Sequence, residues 1–436
     1  MLNHYDVIVV GGGTAGCATA YNSGKLGLKT LLIEKNIHLG GTMTSALVVP
    51  AMYSSENQIN TDFFDALIAE LHSMGGQITY QNNKGWFNPE LCKIALDRLM
   101  TEANVEVLFD TRVIGVNIVE KEINGLTISS NMLSVYIAAN NIVDTTGNCE
   151  ICTLAGCEFL QNDSQCQLSR KVEPEAPCFQ PVSLRFEMGG VELNTFRDWI
   201  MDFDCDRNVT TSDYIDGQIH LSTAYTWDDG KKWALAPLFD DAVANNILKN
   251  DDRNYFQLFT VPNMPSTVSF NCPRIYFNNE INPLDNVDIS KALVIGRESI
   301  LRLSNFCKIY LPGFQNSYVS NIADALGVRV SRRIKGKYVY TVEDLKSGKK
   351  FENPVLISNY PIDVHSNKKD KSILEHTVQE YQLPVEALIS ADFDNLFVAG
   401  RCLSADFYAQ AALRIQPSCF SMGEGVAKYI ASLENK

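Results

Sequence analysis

The sequence has no surplus of positive charge. Its 37 Lys and Arg stand against 51 Asp and Glu, a formal charge of −14 at pH 7. Nucleic acids and anionic membrane surfaces both reward a basic face, so no nucleic acid is expected as a partner. No apolar run approaches the roughly twenty residues that cross a bilayer, and no membrane insertion is expected. The first apolar run follows Asp6 and leads into glycines. It reads as a strand and not as the core of a signal peptide, which makes a cytoplasmic location the expectation. Internal repeats and low-complexity linkers are missing, and so is a second CxxC. Of twelve cysteines only Cys149 and Cys152 have that spacing, with Cys157, Cys166 and Cys178 downstream. Zinc and iron–sulfur sites draw on more closely spaced thiols than this. Buried small hydrophobes are the better account, and no metal is expected. Histidine is scarce, with six in 436 residues, so single histidines can be weighed as proton carriers.

What is present is concentrated near the N-terminus. Tyr5-Asp6-Val7-Ile8-Val9-Val10 is an apolar, β-rich run. Gly11-Gly12-Gly13-Thr14-Ala15-Gly16 follows, then a helical stretch over 15–26, a second apolar run Leu31-Leu32-Ile33, and the acid Glu34. Strand, glycine turn, helix, strand and acid in this order are the parts a dinucleotide site needs. Gly11 makes the tight turn, Gly13 lets the backbone approach a pyrophosphate, and Gly16 lets the helix pack on the strand. Thr14 and Ala15 open a helix whose free N–H groups and positive dipole end face the phosphates. Glu34, with Lys35 beside it, is placed to accept hydrogen bonds from ribose hydroxyls and would repel a 2′-phosphate. Three features favour FAD over NAD: the position of the motif, the Gly40-Gly41 pair soon after Glu34, and a matching strand near the C-terminus, Asn395-Leu396-Phe397-Val398-Ala399-Gly400-Arg401.

Apolar spacing predicts a helix over 61–73, with Phe63, Phe64, Leu67, Ile68 and Leu71 on one face and Gly75-Gly76 as its stop. Asn88-Pro89 is a cap and first-turn proline for another helix. Strand-like runs at 105–109, 113–119, 126–129, 134–138 and 142–146 fit a parallel sheet with an added β-meander. From about residue 171, Pro174, Pro177 and Pro181 are followed by alternating runs at 182–186 and 266–270 and by many aromatics, Trp227 among them. The last helix is expected from Pro417 or Ser418 to about 433. Gly423 and Gly425 would weaken it in isolation and imply close packing against another backbone or a cofactor. The expected architecture is α/β, a Rossmann-like FAD-binding parallel sheet with a β-meander, plus a mostly antiparallel α+β substrate domain. The expected domains are 1–170 with 386–436, and 171–385.

These residues are familiar in combination. The chain resembles the FAD-dependent oxidoreductase family, Rossmann flavoproteins of the glutathione-reductase type distantly related to fumarate reductase and succinate dehydrogenase flavoproteins. The resemblance rests on His38-Leu39-Gly40-Gly41-Thr42-Met43-Thr44-Ser45, Asp144-Thr145-Thr146-Gly147, Gln180-Pro181-Val182-Ser183-Leu184 and Pro312-Gly313-Phe314-Gln315-Asn316. It rests also on Tyr360-Pro361-Ile362-Asp363-Val364-His365, Ala399-Gly400-Arg401-Cys402 and Leu413-Arg414-Ile415-Gln416-Pro417-Ser418. It implies non-covalent FAD, a two-domain fold and redox chemistry, and fixes no substrate. The sequence departs from the disulfide-reductase flavoproteins, which carry Gly-Asp where this chain has Gly400-Arg401. Cys17 stands alone in the first helix, and no second GxGxxG is evident.

Gly41, Thr42 and Ser45 are small enough for close backbone approach to the pyrophosphate and isoalloxazine, as are Thr146 and Gly147. Val113 resembles the strand whose backbone meets the adenine, although a core role is the simpler account of a valine. Arg414, Pro417 and Ser418 would set a helix N-terminus near flavin N1 and O2, where a dipole end or an arginine stabilises the reduced form. Arg401, after Gly400, is a candidate for the phosphates or the substrate. The basic run Arg329, Arg332, Arg333, Lys335, Lys337 reads as a solvated or ion-paired face. His4, His72 and His376 read as structural and His38 as a loop residue. His365 is the best candidate for acid/base work beside the flavin, and Arg274 is a candidate to pair a substrate carboxylate or an oxyanion. The expectation is hydride transfer between a small polar organic substrate and FAD, with an unidentified electron donor or acceptor and a homo-oligomer left open. The alternatives are a non-redox hydratase or lyase that keeps FAD as scaffold, and a flavin-binding sensor without turnover.

Overall fold

The computed structural model describes residues 4–131, 133–160, 179–226, 232–275, 281–365, 373–377 and 379–434. The N-terminal run forms strand β1 (His4–Val10), helix α1 (Thr14–Lys25) and strand β2 (Thr30–Ile33). β1 pairs in parallel with β2 on one side, Val7 opposite Thr30, and with the strand Leu133–Asp144 on the other, Ile8 opposite Ile142. Glu106–Leu108 extends the parallel run beyond β2, and Leu396–Val398 extends it beyond Leu133–Asp144. Val7, Ile8, Val9, Leu31, Leu32 and Ile33 are all buried, as a parallel sheet covered on both faces requires.

Leu133–Asp144 has two roles. Its C-terminal half lies in the parallel run. Its N-terminal half pairs antiparallel with Glu122–Ser130, which pairs in turn with Arg112–Val119 to make the meander. The runs expected at 134–138 and 142–146 are thus one strand, and Asn140-Asn141 between them do not interrupt the ladder. The Asn141 amide is satisfied from the side, donating to Asp6 O (3.2 Å) and Glu434 Oε1 (2.7 Å).

The helices Asp62–Ser73 and Pro89–Glu102 form where the apolar spacing and the cap place them. Asn88 Oδ1 accepts from the N–H groups of Glu90 (2.9 Å) and Leu91 (3.2 Å). The C-terminal helix, Gln416–Glu434, starts one residue before Pro417 and lies along α1. Its glycines are there for space. A Cβ at Gly423 would sit 2.4 Å from Ala15 O, and one at Gly425 would sit 2.5 Å from Val355 Cβ.

The second region is a six-stranded sheet with the spatial order Thr211–Ile215, Gln218–Thr226, Tyr255–Thr260, Val268–Phe270, Phe186–Gly189, Tyr318–Ile322, antiparallel throughout. The aromatics noted in the sequence fill its core, with Phe186 stacked on Phe270 at 4.3 Å and Phe239 against Phe306 at 4.4 Å. This core draws on residues 182–323 and on Leu47. Val330, Tyr340, Leu356 and Leu388 pack into the first core instead. The α/β class with a Rossmann-like sheet, a meander and an antiparallel second sheet is therefore as expected. The boundary at residues 170 and 171, with Cys166, Cys178, Pro174, Pro177 and Trp227, lies outside the described residues. Among the described residues no helix is long and apolar enough to cross a membrane.

Candidate active site

A cleft of about 110 Å³ opens where the glycine turn meets the ends of the parallel strands. Gly11, Gly13, Glu34, Lys35, Gly41, Val113 and Thr146 line it, together with Asn36, Thr111, Arg112 and Glu150. Its walls are backbone. Gly11 has a φ of +100°, and a Cβ there would lie 2.8 Å from Thr145 O. Gly16 meets the turn so closely that a Cβ would fall 1.9 Å from Gly11 O. Gly13 and Gly41 face each other across the cleft, where a Cβ on Gly41 would reach within 2.8 Å of Gly13 Cα.

Glu34 is buried at the end of β2. Its Oε2 accepts from Gly12 N–H (2.6 Å) and its Oε1 from Asn36 N–H (2.8 Å). Lys35 is ion-paired with Glu150 at 2.7 Å on the rim. Thr14 and Thr42 hydroxyls stand 3.3 Å apart at the start of α1. Asp144, which the sequence reading left without a role, holds the next turn. It accepts from Thr146 N–H and hydroxyl (3.0 and 2.7 Å) and from the N–H groups of Ile151 and Cys152 (2.8 and 3.1 Å). Arg401 is taken up by main-chain carbonyls: Nη1 donates to Val328 O, and Nη2 to Gly147 O at 3.1 Å. Gly400 lies beside α1, where a Cβ would come 3.3 Å from Ala15 Cβ.

A second group of candidate residues, around His365, is built from side chains. His365 follows the strand Ile362–Val364, and its Nε2 lies 3.3 Å from Asp363 Oδ2. The His365 N–H donates to Gln180 Oε1 at 3.0 Å. Burial, reinforced by the charges of Arg274 and Arg329, outweighs Asp363 and holds the imidazole well below its ordinary pKa. Burial works against the Asp363 charge, but the hydrogen bond to His365 and the charges of Arg414 and Arg329 win and keep the carboxyl well below the usual range. The pair is therefore a neutral imidazole on a carboxylate. With Nε2–H donating to Asp363, Nδ1 is the basic nitrogen. Arg414 Nη2 donates to Asp363 O (3.0 Å) and Oδ2 (3.3 Å). The Arg274 guanidinium carbon lies over the Tyr255 ring, 3.7 Å from its centre.

The basic run 329–337 divides instead of forming one solvated face. Lys335 pairs with Glu158 and Lys337 with Asp394 at the surface. Arg333 is 1% exposed and donates to Ala405 O at 2.7 Å, while Arg329 donates to Pro181 O (2.6 Å) and Ser183 Oγ (3.1 Å). Asp363 was within reach of the sequence, since it alternates with His365 at a strand end and period two puts both on one face. Arg185, Gln180 and Tyr255 carried no such local signal. Cys149, Cys152 and Cys157 are buried free thiols. Cys149 N–H donates to Cys402 Sγ at 3.2 Å. Among the described residues no cluster of His, Cys, Asp or Glu is arranged to hold a metal.

A family model for FAD dependent oxidoreductases matches residues 6–435. The chain belongs to that family. FAD is accordingly its cofactor, and the cleft fits it. The Gly13–Gly41 cradle leaves room only for backbone approach, and Ser45 Oγ, Gln416 Oε1 and Ser418 Oγ are buried without a partner among the described residues. The flavoprotein is 36% identical over 83 residues to digeranylgeranylglycerophospholipid reductase of Methanococcus vannielii, covering 18% of this chain and 21% of that protein. It is 45% identical over 51 residues to dihydrolipoyl dehydrogenase of Trypanosoma brucei brucei, covering 12% of this chain and 11% of that one. The match thus spans about a fifth and a tenth of the lengths of these relatives. A geranylgeranyl bacteriochlorophyll reductase-like protein of Thermoplasma acidophilum aligns in structure with a TM-score of 0.46 and 14% identity, over 99% of this chain and 79% of that one.

Proposed function

We propose that this flavoprotein catalyses hydride transfer involving a small polar organic substrate and non-covalently held FAD, with His365 as the proton carrier. The observation that carries the reading is the His365–Asp363 pair, 3.3 Å apart and buried among arginines. When bound, FAD supplies the two-electron chemistry. Gly11, Gly13, Thr14, Ala15, Gly16, Glu34 and Lys35 would hold the ADP half, with Val113 along the adenine and Gly41, Thr42, Thr146, Gly147, Gly400 and Arg401 around the pyrophosphate. Ser45, Arg414, Pro417 and Ser418 would face the flavin ring.

The remaining chemistry belongs to the chain's own groups. Loss of a hydride from an alcohol or amine carbon must be matched by loss of a proton from its oxygen or nitrogen. A neutral His365 takes that proton at Nδ1 while Asp363 fixes the ring through Nε2–H and stabilises the charge that arrives. In the reverse direction the same nitrogen returns it. Arg274 orients the substrate.

Anaerobic photoreduction followed by reoxidation with a panel of candidate substrates tests the redox reading. A flavin spectrum that cycles with substrate supports it, and one that no substrate moves would favour a scaffold or sensor role. His365→Asn should keep FAD and lose about 10²- to 10⁴-fold in kcat, the usual range for a missing acid/base group. Full turnover in that variant removes His365 from the mechanism.

A further inference from the structure

The surroundings of His365 hold more positive charge than the described residues neutralise. Arg185, Arg274, Arg329 and Arg414 come from four separate segments and form one electrostatic group around His365 and Asp363. Arg185 Nη1 donates to two neutral acceptors, Leu47 O and Val49 O, each at 3.0 Å. The acceptors of Arg329, Pro181 O and Ser183 Oγ, are neutral too. Among the described residues only Arg414 of the four meets a carboxylate, that of Asp363. Burial pulls Arg185 down to about 10, and burial with the charges of Arg274 and Arg414 pulls Arg329 down to about 9, so both stay charged at neutral pH.

Buried charge without a partner is costly and persists where something else supplies the counter-charge. Three N–H donors in this group have no partner among the described residues: Arg274 Nε, Arg414 Nε and Gln180 Nε2. Gln180 is oriented so that its oxygen serves His365 N–H, which leaves the amide nitrogen pointing elsewhere. Tyr255 holds the Arg274 guanidinium by its face at 3.7 Å, which leaves the edge of the fork for a ligand and lowers the entropy cost of using it. A planar fork of this kind matches the two oxygens of a carboxylate.

We propose that Arg274 and Arg329, with Gln180, form a subsite for a carboxylate group, so that the substrate is an organic acid. The inference rests on the reading of this cleft as the flavin site with His365 at the reacting end. It adds an assignment for Arg329, Gln180 and Tyr255. Arg274 and Arg329 would dock the acid, Gln180 would donate to one of its oxygens, and Tyr255 is a positioning residue that acts through Arg274.

Titration calorimetry of the holoenzyme with malonate, against chloride at matched ionic strength, tests this directly. Malonate should bind and chloride should not, and Arg274→Gln should weaken malonate by about tenfold or more, the loss of one charge-assisted contact. Arg329→Gln should do the same if it keeps the wild-type melting temperature. Heats for malonate no greater than for chloride, or an unchanged affinity in Arg274→Gln, would overturn the proposal. Sulfate bound more tightly than malonate would also overturn it, by assigning the subsite to a sulfate or phosphate ester. Flavin absorbance of the same samples keeps the two readings apart. A yellow protein indifferent to malonate fails only the subsite, and a colourless protein that binds malonate through Arg274 fails only the flavin cleft.

Discussion

At the glycine turn the close approaches are between main-chain atoms, Gly11 on Thr145, Gly16 on Gly11 and Gly41 on Gly13. Around His365 the groups are guanidinium, imidazole and carboxylate, carried in from residues 185, 274, 329, 363, 365 and 414. The first works by what is missing, since a Cβ on Gly11, Gly16 or Gly41 would collide with another backbone. The second works by charge that the described residues leave incompletely balanced. A site of the first kind holds any ligand with the right shape and phosphates, and suits a cofactor common to many enzymes. A site of the second kind selects by charge and geometry, and suits a particular substrate.

The sharpest way to break this contrast is Gly16→Ala. One methyl group placed 1.9 Å from Gly11 O must push α1 off the turn. The variant is expected to purify without flavin, seen as loss of the absorbance near 450 nm that marks bound flavin (an order-of-magnitude drop in bound cofactor). A fully yellow variant would show that the nucleotide end does not depend on missing side chains.

The next test concerns the junction that holds the two ends in register. His220, from the antiparallel sheet, is buried between Tyr80 (4.2 Å) and Trp86 (4.5 Å) of the hairpin that precedes Pro89–Glu102. Burial lowers it from 6.5 to about 4. The unfolded chain takes up this proton first, so stability is full above about pH 6.5 and falls as the pH drops toward 4, by about 3 kcal/mol for His220 at the acid end of that window. His220→Gln should remove that part of the acid-side slope, read as melting temperature at pH 7 against pH 5. An unchanged slope would mean that the junction is not the acid-labile point. The smallest effect is expected at Lys25, whose ion pair with Glu102 joins α1 to its neighbour at the surface. Exposed pairs contribute little, so Lys25→Ala should leave melting temperature and flavin content within experimental error. A loss of flavin there would mean that surface charge also matters at the glycine end.

The same contrast explains what the sequence disclosed. The turn from Val10 to Gly16, the acid at Glu34 and the cap at Asn88 are local patterns, because each part contacts others nearby in the chain, and they were legible. So was the purpose of Gly423, since two glycines in an amphipathic helix require close packing. The arginine group was not legible. Arg185, Arg274, Arg329 and Arg414 meet only through tertiary folding, and no spacing relates them. Arg329 was even hidden inside a run of basic residues whose outer members, Lys335 and Lys337, do behave as surface charge. The separation of the runs 134–138 and 142–146 has a similar cause. The distant Glu434 carboxylate satisfies both asparagines between them, Oε2 accepting from Asn140 (3.2 Å) and Oε1 from Asn141 (2.7 Å).

The seating of the C-terminal helix on α1 has a consequence for how the protein is made. Leu396–Val398 completes the edge of the parallel sheet, and Gly423 rests on the main chain of Ala15. β1 and α1 therefore wait for residues 396–434 before the helix gains this partner and the sheet its outer strand. Cofactor capture becomes a late event in synthesis, so a nascent chain stalled before residue 396 would expose Ala15 and Thr19 and bind no flavin.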